Sequence, residues 1–161
     1  MFKSMLSMKF VVAFIFLFSS TAHAYCFDTA GRKYGIDPLL LKAIAKTESG
    51  LDARAINYNK SGGKIVSADY GLMQINSMNM PKLIAMGVIK GKQDLLDKPC
   101  LNVQIGAWIL ATSFQKCNIS WDCLGSYNAG FVQSPRQKFR RNLYADKVYK
   151  HYKTLMLAGR N

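Results

Sequence analysis

Apolar positions fall into helical register at Leu40, Ala43, Ile44 and Thr47, spaced i, i+3, i+4 and i+7. Asp37-Pro38 ahead of them supplies an N-cap and a first-turn proline, and Gly50 supplies a stop. The segment between therefore reads as one helix. Upstream, Cys26 to Tyr34 is a shorter helical candidate closed by Gly35. From Ala53 to Ala68 the helical period gives out. Turn residues around Gly62-Gly63, with Ile65-Val66 following, predict a small β-hairpin or irregular flap that runs into Ala68-Asp69-Tyr70-Gly71.

Met80 to Lys98 reads as short helices and turns, Pro81 to Met86 being one. Pro99 to Lys116 is a long helix with Leu101, Ile105, Trp108 and Thr112 on one stripe, the expected central core helix. Trp108 is expected to pack there and not to serve as a ligand platform. A further helix carries Asp122 to Tyr127, and Leu143, Val148, Tyr152 and Leu155 mark a last amphipathic one. No internal repeat, low-complexity linker or second-domain boundary is visible. The expected fold is mainly α within an α+β class, a single helical domain with a small β element.

The first residues change what counts as the mature chain. Lys3 and Lys9 precede the apolar run Phe10 to Phe18, and Ala22-His23-Ala24 has the A-x-A form of a cleavage site. The run is shorter than the about 20 residues a spanning helix needs, so it reads as a signal peptide. Residues 1–24 are thus expected to be removed, with Met1 or Met8 as the start, leaving residues 25–161 as one exported domain. After removal no stable membrane insertion is expected, and the compartment is the periplasm.

The charge is strongly basic, +13 for the whole sequence. Arg136, Lys138, Arg140, Arg141, Lys147, Lys150, Lys153 and Arg160 crowd the last segment against Asp146. Such an excess favours a polyanionic partner. Export and the lack of a nucleic-acid motif set nucleic acid aside and leave an acidic wall polymer or lipid surface.

Cys26, Cys100, Cys117 and Cys123 all lie in the mature part, and an even count in an oxidising compartment reads as two disulfides. The helix from Pro99 to Lys116 separates Cys100 from Cys117 by about 25 Å at 1.5 Å per residue. A disulfide needs Cα atoms within about 7 Å. Cys123 can travel back only about 20 Å from Cys117. The remaining pairing is Cys26–Cys100 with Cys117–Cys123. A zinc site is the rival, but the spacings match no zinc pattern, and no metal or other cofactor is expected.

Glu48 is the sole glutamate; the other eight carboxylates are aspartates. It lies four residues after Ile44 and so extends the apolar face of its helix. A carboxyl half-buried beside apolar side chains has its charged form disfavoured and its pKa raised. A general acid working near neutral pH needs that shift. Asp69, at the edge of the flap, would supply a second, more solvated carboxylate, the division of labour used in glycoside cleavage.

Four separated segments then appear in one order: Glu48-Ser49, Gly71-Leu-Met-Gln-Ile-Asn76, Tyr127-Asn-Ala-Gly130 and Tyr144-Ala-Asp-Lys-Val148. In this order the chain resembles the soluble lytic transglycosylase (lysozyme-like) family from Cys26 to Tyr149. Its small size and cysteine placement are similar to the specialised members that accompany type III secretion and related machines. The resemblance implies a lysozyme-like fold acting on peptidoglycan glycan strands, with a secretion-apparatus component as a further partner. It implies Glu48 as the acid at the bond between N-acetylmuramic acid and N-acetylglucosamine, then as the base on the muramoyl C6 hydroxyl. Ser49 would contact sugar or Glu48, Met73 and Gln74 would line the cleft, and Tyr127 and Asn128 would form its opposite wall. Tyr144 would hydrogen-bond Glu48.

Asp69 departs from that broad pattern. Asp69-Tyr-Gly-Leu-Met-Gln-Ile-Asn-Ser77 looks instead like the animal-lysozyme segment that carries a second carboxylate. This puts a lysozyme-type hydrolase beside the transglycosylase as an alternative. A non-catalytic wall-binding assembly module is the other.

Overall fold

The computed structural model describes residues 22–159. The leader expected in residues 1–24 lies outside the described residues as far as residue 21, and so does Arg160 of the basic segment. Seven helices and one small sheet are described: α1 (Ala22–Tyr34), α2 (Pro38–Ser49), β1 (Ile56–Ser61), β2 (Lys64–Tyr70), β3 (Ile75–Asn76), α3 (Met80–Ala85), α4 (Lys92–Asp97), α5 (Pro99–Cys117), α6 (Trp121–Ala129) and α7 (Pro135–Ala158). A single 3-10 turn, Ser77–Asn79, joins β3 to α3. The fold is mainly helical, as the spacing of apolar residues predicts. What the pattern misses is β3, only two residues long, which adds a third antiparallel strand beside β2.

Helix α2 begins and ends as its sequence dictates. The Asp37 carboxylate accepts from the Leu39 backbone N–H at 2.8 Å, satisfying a donor the first turn leaves free. Gly50 closes it with φ +66°, a left-handed conformation that costs a glycine little. Its buried face is Leu41, Ala43, Ile44 and Ala45, wider than the stripe through Leu40, which is half-buried.

The stripe expected on α5 is corrected more sharply. Of Leu101, Ile105, Trp108 and Thr112, only Ile105 is buried; the face in the core is Asn102, Val103, Ile105, Gly106, Ala107, Leu110 and Ser113. Periodicity alone selects the large apolar residues. Packing selects the small ones, because Gly106 lets the Met73 side chain lie directly on the helix backbone: a Cβ there would meet Met73 Cβ at 2.7 Å. Trp108 is half-buried in the core with Lys82 over its ring, 4.9 Å from the centroid, as expected of a packing residue.

Asn102 is fully buried and holds the turn between β2 and β3. Its Nδ2 donates to the carbonyls of Tyr70 (2.8 Å) and Leu95 (3.0 Å), while its Oδ1 accepts from Met73 N–H at 2.8 Å. Gly71, at φ +75°, passes so close to this amide that any side chain would collide with Asn102 and Leu95. The turn is thereby pressed onto α5.

Helix α7 packs on α2 and α6. It buries Arg141, Tyr144, Ala145 and Val148, whereas Leu143 of the expected stripe is exposed. Buried Arg141 is accommodated by Asp122 at 3.5 Å and by the Val132 carbonyl at 3.1 Å. Both expected disulfides form, with Cα separations of 5.1 Å for Cys26–Cys100 and 5.7 Å for Cys117–Cys123. The first ties α1 to the start of α5. By closing a loop of 74 residues it restricts the unfolded chain by about 4 kcal/mol in the entropic model.

Candidate active site

A groove of about 380 Å³ opens between the sheet and the ends of α2 and α6, with Arg140 of α7 at its edge. Glu48, Asp69, Gln74, Tyr127 and Asn128 all line it. Residues from α2, β2, the β2–β3 turn and α6 thus meet in one place.

Glu48 reaches the groove because it is the second-last residue of α2, one turn beyond buried Ile44. Burial pushes its carboxyl up from 4.5 to about 7. A hydrogen bond from Tyr144 Oη to Glu48 Oε1 (2.5 Å) works the other way, and the negative charge of Asp69 adds a smaller upward push. The net result is a carboxyl that carries its proton up to neutrality. Tyr144 stands on the buried face of α7, and its own phenol is held well above 10 by burial first and by Glu48 second. It therefore stays a donor.

Asp69 is set up differently. The pleat of β2 sends Ala68 and Tyr70 into the core and Ser67 and Asp69 to the groove. On that polar face Asn59 Nδ2 donates to Asp69 Oδ2 and Asn76 Nδ2 to Asp69 Oδ1, each at 2.7 Å. Register explains the convergence. Asn76 pairs with Asp69 across β2–β3, Asn57 pairs with it across β1–β2, and Asn59 lies two residues along on the same face. Each carboxylate oxygen accepts from an amide N–H, so the group is held in one orientation. The site thus holds one carboxyl kept protonated by burial and another oriented as an acceptor.

Gln74 lines the groove at φ +48°, with its amide fully engaged. Its Nε2 donates to the Gly71 carbonyl at 2.8 Å, and its Oε1 accepts from Asn57 at 2.7 Å. Tyr127 donates its phenolic proton to the Met73 carbonyl at 2.9 Å, tying α6 to the β2–β3 turn. Tyr127 and Asn128 belong to the last turn of α6, which continues past the expected end at Tyr127 as far as Ala129.

Two expected cleft residues lie elsewhere. Met73 does not line the groove: its side chain is fully buried against Gly106, and only its backbone serves the site. Ser49 is not among the groove-lining residues, and its hydroxyl is not hydrogen-bonded to Glu48. Its hydroxyl meets the carbonyls of Leu72 (2.9 Å) and Ala45 (3.1 Å), joining the end of α2 to the same turn. A side chain flanking a functional residue in sequence points about 100° away on a helix, which sends Ser49 toward backbone. Sequence reasoning missed Asn59, Asn76 and Arg140. The first two carried a signal, since both share a strand face with Asp69 once the hairpin register is known; Arg140 was hidden among other cations.

Residues 25–150 match the family described as the transglycosylase SLT domain. A peptidoglycan-binding-like protein of Escherichia coli is 45% identical over 147 residues, covering 91% of this chain and 87% of that one. The invasion protein IagB of Salmonella typhi is 38% identical, covering 91% and 86%, and the protein IpgF of Shigella flexneri is 38% identical, covering 89% and 90%. In structure, an inactive mutant of the lytic transglycosylase Slt from Pseudomonas aeruginosa superposes with a TM-score of 0.61 at 18% identity. That match covers 83% of this chain and 24% of the larger one, and at such identity it speaks to the fold alone.

Proposed function

The chain belongs to the transglycosylase SLT family of peptidoglycan lytic transglycosylases, and from that premise we propose that Glu48 is its catalytic acid and base. The observation that carries this reading is the carboxyl held at about 7 inside the groove, with Tyr144 on one of its oxygens. Protonated Glu48 would give its proton to the glycosidic oxygen between N-acetylmuramic acid and N-acetylglucosamine. The bonding pair between anomeric carbon and oxygen leaves with that oxygen, and positive charge develops on the muramoyl ring.

The Asp69 carboxylate is fixed by Asn59 and Asn76, so it is suited to stabilise that charge. Glu48, now a carboxylate and favoured as such by the Tyr144 hydrogen bond, takes the proton of the muramoyl C6 hydroxyl. The C6 oxygen bonds to the anomeric carbon, giving a 1,6-anhydro end and restoring protonated Glu48. No water is consumed. Gln74, Tyr127 and Asn128 would shape the walls that hold the glycan.

A second reading rests on the same Asp69. A lysozyme-type hydrolase would use both carboxylates with water as the acceptor, and the product would be heavier by one water. Mass spectrometry of peptidoglycan digested by purified protein decides between them. Anhydro ends from the native protein and none from Glu48→Gln support the transglycosylase reading; hydrolysed ends support the hydrolase. Full activity in Glu48→Gln removes Glu48 from both readings, and absence of either product from the native protein leaves a wall-binding module.

We also propose that residues 1–24 are a leader and that the enzyme works in the periplasm. Its role there would be local opening of the wall for a secretion apparatus. The two disulfides fit an oxidising compartment. A relative named for invasion fits such a role, and the sequence resembles members that serve type III secretion.

A further inference from the structure

Behind Glu48 a second, smaller pocket of about 190 Å³ opens between α2 and α7. It shares Glu48, Asn128 and Arg140 with the groove and adds Lys147. Arg140, Tyr144 and Lys147 are spaced i, i+4 and i+7, so they stand on one face of α7. The face that brings the Tyr144 hydroxyl to Glu48 therefore also brings a cation to each side of it. Among the described residues neither Arg140 nor Lys147 has an ion-pair partner. Both are exposed and available to a ligand.

We propose that this side pocket takes a carboxylate borne by the muramoyl residue whose glycosidic bond is being cut. The inference rests on the reading of Glu48 as the acid, because Glu48 fixes where the scissile bond lies. A glycan strand of alternating N-acetylglucosamine and N-acetylmuramic acid carries acid groups only on the muramoyl lactyl ether or on the peptide stem attached to it. A carboxylate next to Glu48 must come from one of these two sources. Arg140 offers the planar fork that grips a carboxylate through two parallel hydrogen bonds, and Lys147 adds a point charge. The pair would make the enzyme prefer acidic glycan over a neutral polymer of N-acetylglucosamine.

The test uses Glu48→Gln protein, which holds substrate without cutting it, and measures affinity by calorimetry. Three probes are compared: glycan tetramers with intact stems, tetramers stripped of stems by an amidase so that the lactyl carboxylate is free, and the N-acetylglucosamine tetramer. Adding Arg140→Ala and Lys147→Ala together should weaken the acid-bearing probes about tenfold and the neutral one much less. Loss confined to intact stems assigns the stem carboxylate, and loss confined to stripped strands assigns the lactyl one. Arg140→Lys should recover part of the affinity, because the charge returns without the fork. Equal loss on all three probes, or no loss on any, overturns the proposal. If the parent binds none of the probes and the native protein cuts no peptidoglycan, the reading of Glu48 itself fails. That outcome differs from either of the others.

Discussion

Tyr144 gives its phenolic proton to Glu48 Oε1 across 2.5 Å, joining residues 96 apart in sequence and linking α7 to the end of α2. The bond opposes burial, which is the larger effect and raises the carboxyl to about 7. Tyr144→Phe removes the opposing contribution, so the Glu48 pKa should rise further. The alkaline limb of the pH–activity profile should then move to higher pH. The same bond stabilises the Glu48 carboxylate formed after proton transfer, so the peak rate should fall roughly 10- to 100-fold, as for a hydrogen bond to a charged group. Purified-protein turnover of peptidoglycan, followed over about two pH units either side of neutrality, reads both. A lowered rate with an unmoved limb would show that Tyr144 only packs.

Asp69→Asn should move that limb the opposite way. The Asp69 charge is the smallest of the three influences on Glu48, and it raises the pKa. Without it Glu48 releases its proton at lower pH, and the alkaline limb moves down slightly. The rate should also fall, by roughly 100-fold if Asp69 faces developing positive charge as a preorganised group. The amide that replaces the carboxyl has a single acceptor oxygen and cannot serve both Asn59 and Asn76 as the carboxylate does, so Asn59→Ala should show part of the same loss. Native rate and profile in Asp69→Asn would reduce Asp69 to a strand-pairing residue.

Stability should carry the mark of Glu48 as well. The carboxyl titrates near 4.5 when free and at about 7 in the fold, so the folded chain binds the proton more tightly. Its contribution is complete below about 4.5 and is lost as pH rises through about 7. Relative to Glu48→Gln, the native protein should weaken by at most about 3 kcal/mol across that window, at about 1.4 kcal/mol per pH unit. Partial exposure reduces the figure. Paired denaturant titrations of the two proteins at pH 4.5 and pH 8, which bracket the free and folded pKa of Glu48, measure it. A difference independent of pH would mean Glu48 is hydrated like a surface acid.

Glu48, Asp69, Gln74, Tyr127 and Tyr144 are legible in the sequence as residues of interest, for reasons unlike those that hide the others. Glu48 stands out by residue type and by its place on an apolar stripe, both local properties. Met73 misleads because a motif gives adjacency, and adjacent residues on a tight turn face different ways. Its neighbour Gln74 faces the groove while Met73 enters the core. The stripes on α5 and α7 mislead because burial there depends on the partner. Gly106 is buried for what it lacks, and Arg141 because carbonyls of the α6–α7 connection receive it. Asn59 and Asn76 require the strand register, which no single strand contains.

Asn102 is the residue on which the site's geometry most depends without touching the groove. Its amide meets three backbone groups at once, and these belong to β2, α4 and the β2–β3 turn. The turn in turn presents the Met73 carbonyl that fixes Tyr127 and the Gln74 that lines the groove. Asn102→Leu keeps about the same bulk but strands a buried N–H and two carbonyls, each costing about 1–3 kcal/mol. The expected loss is about 3–5 kcal/mol, read as a lower denaturation midpoint with an unchanged slope. Activity measured well below the melting transition should fall too, because Tyr127 loses its anchor. Asn102→Asp is the sharper variant: it can still accept from Met73 N–H, but it sets negative oxygen against the Tyr70 and Leu95 carbonyls. It should destabilise at neutral pH and recover in part on acidification, when a protonated carboxyl can again donate to one of them. If both variants stay within about 1 kcal/mol of the native protein, the turn is held by Gly71 and Gly106 packing alone, and Asn102 is not its clamp.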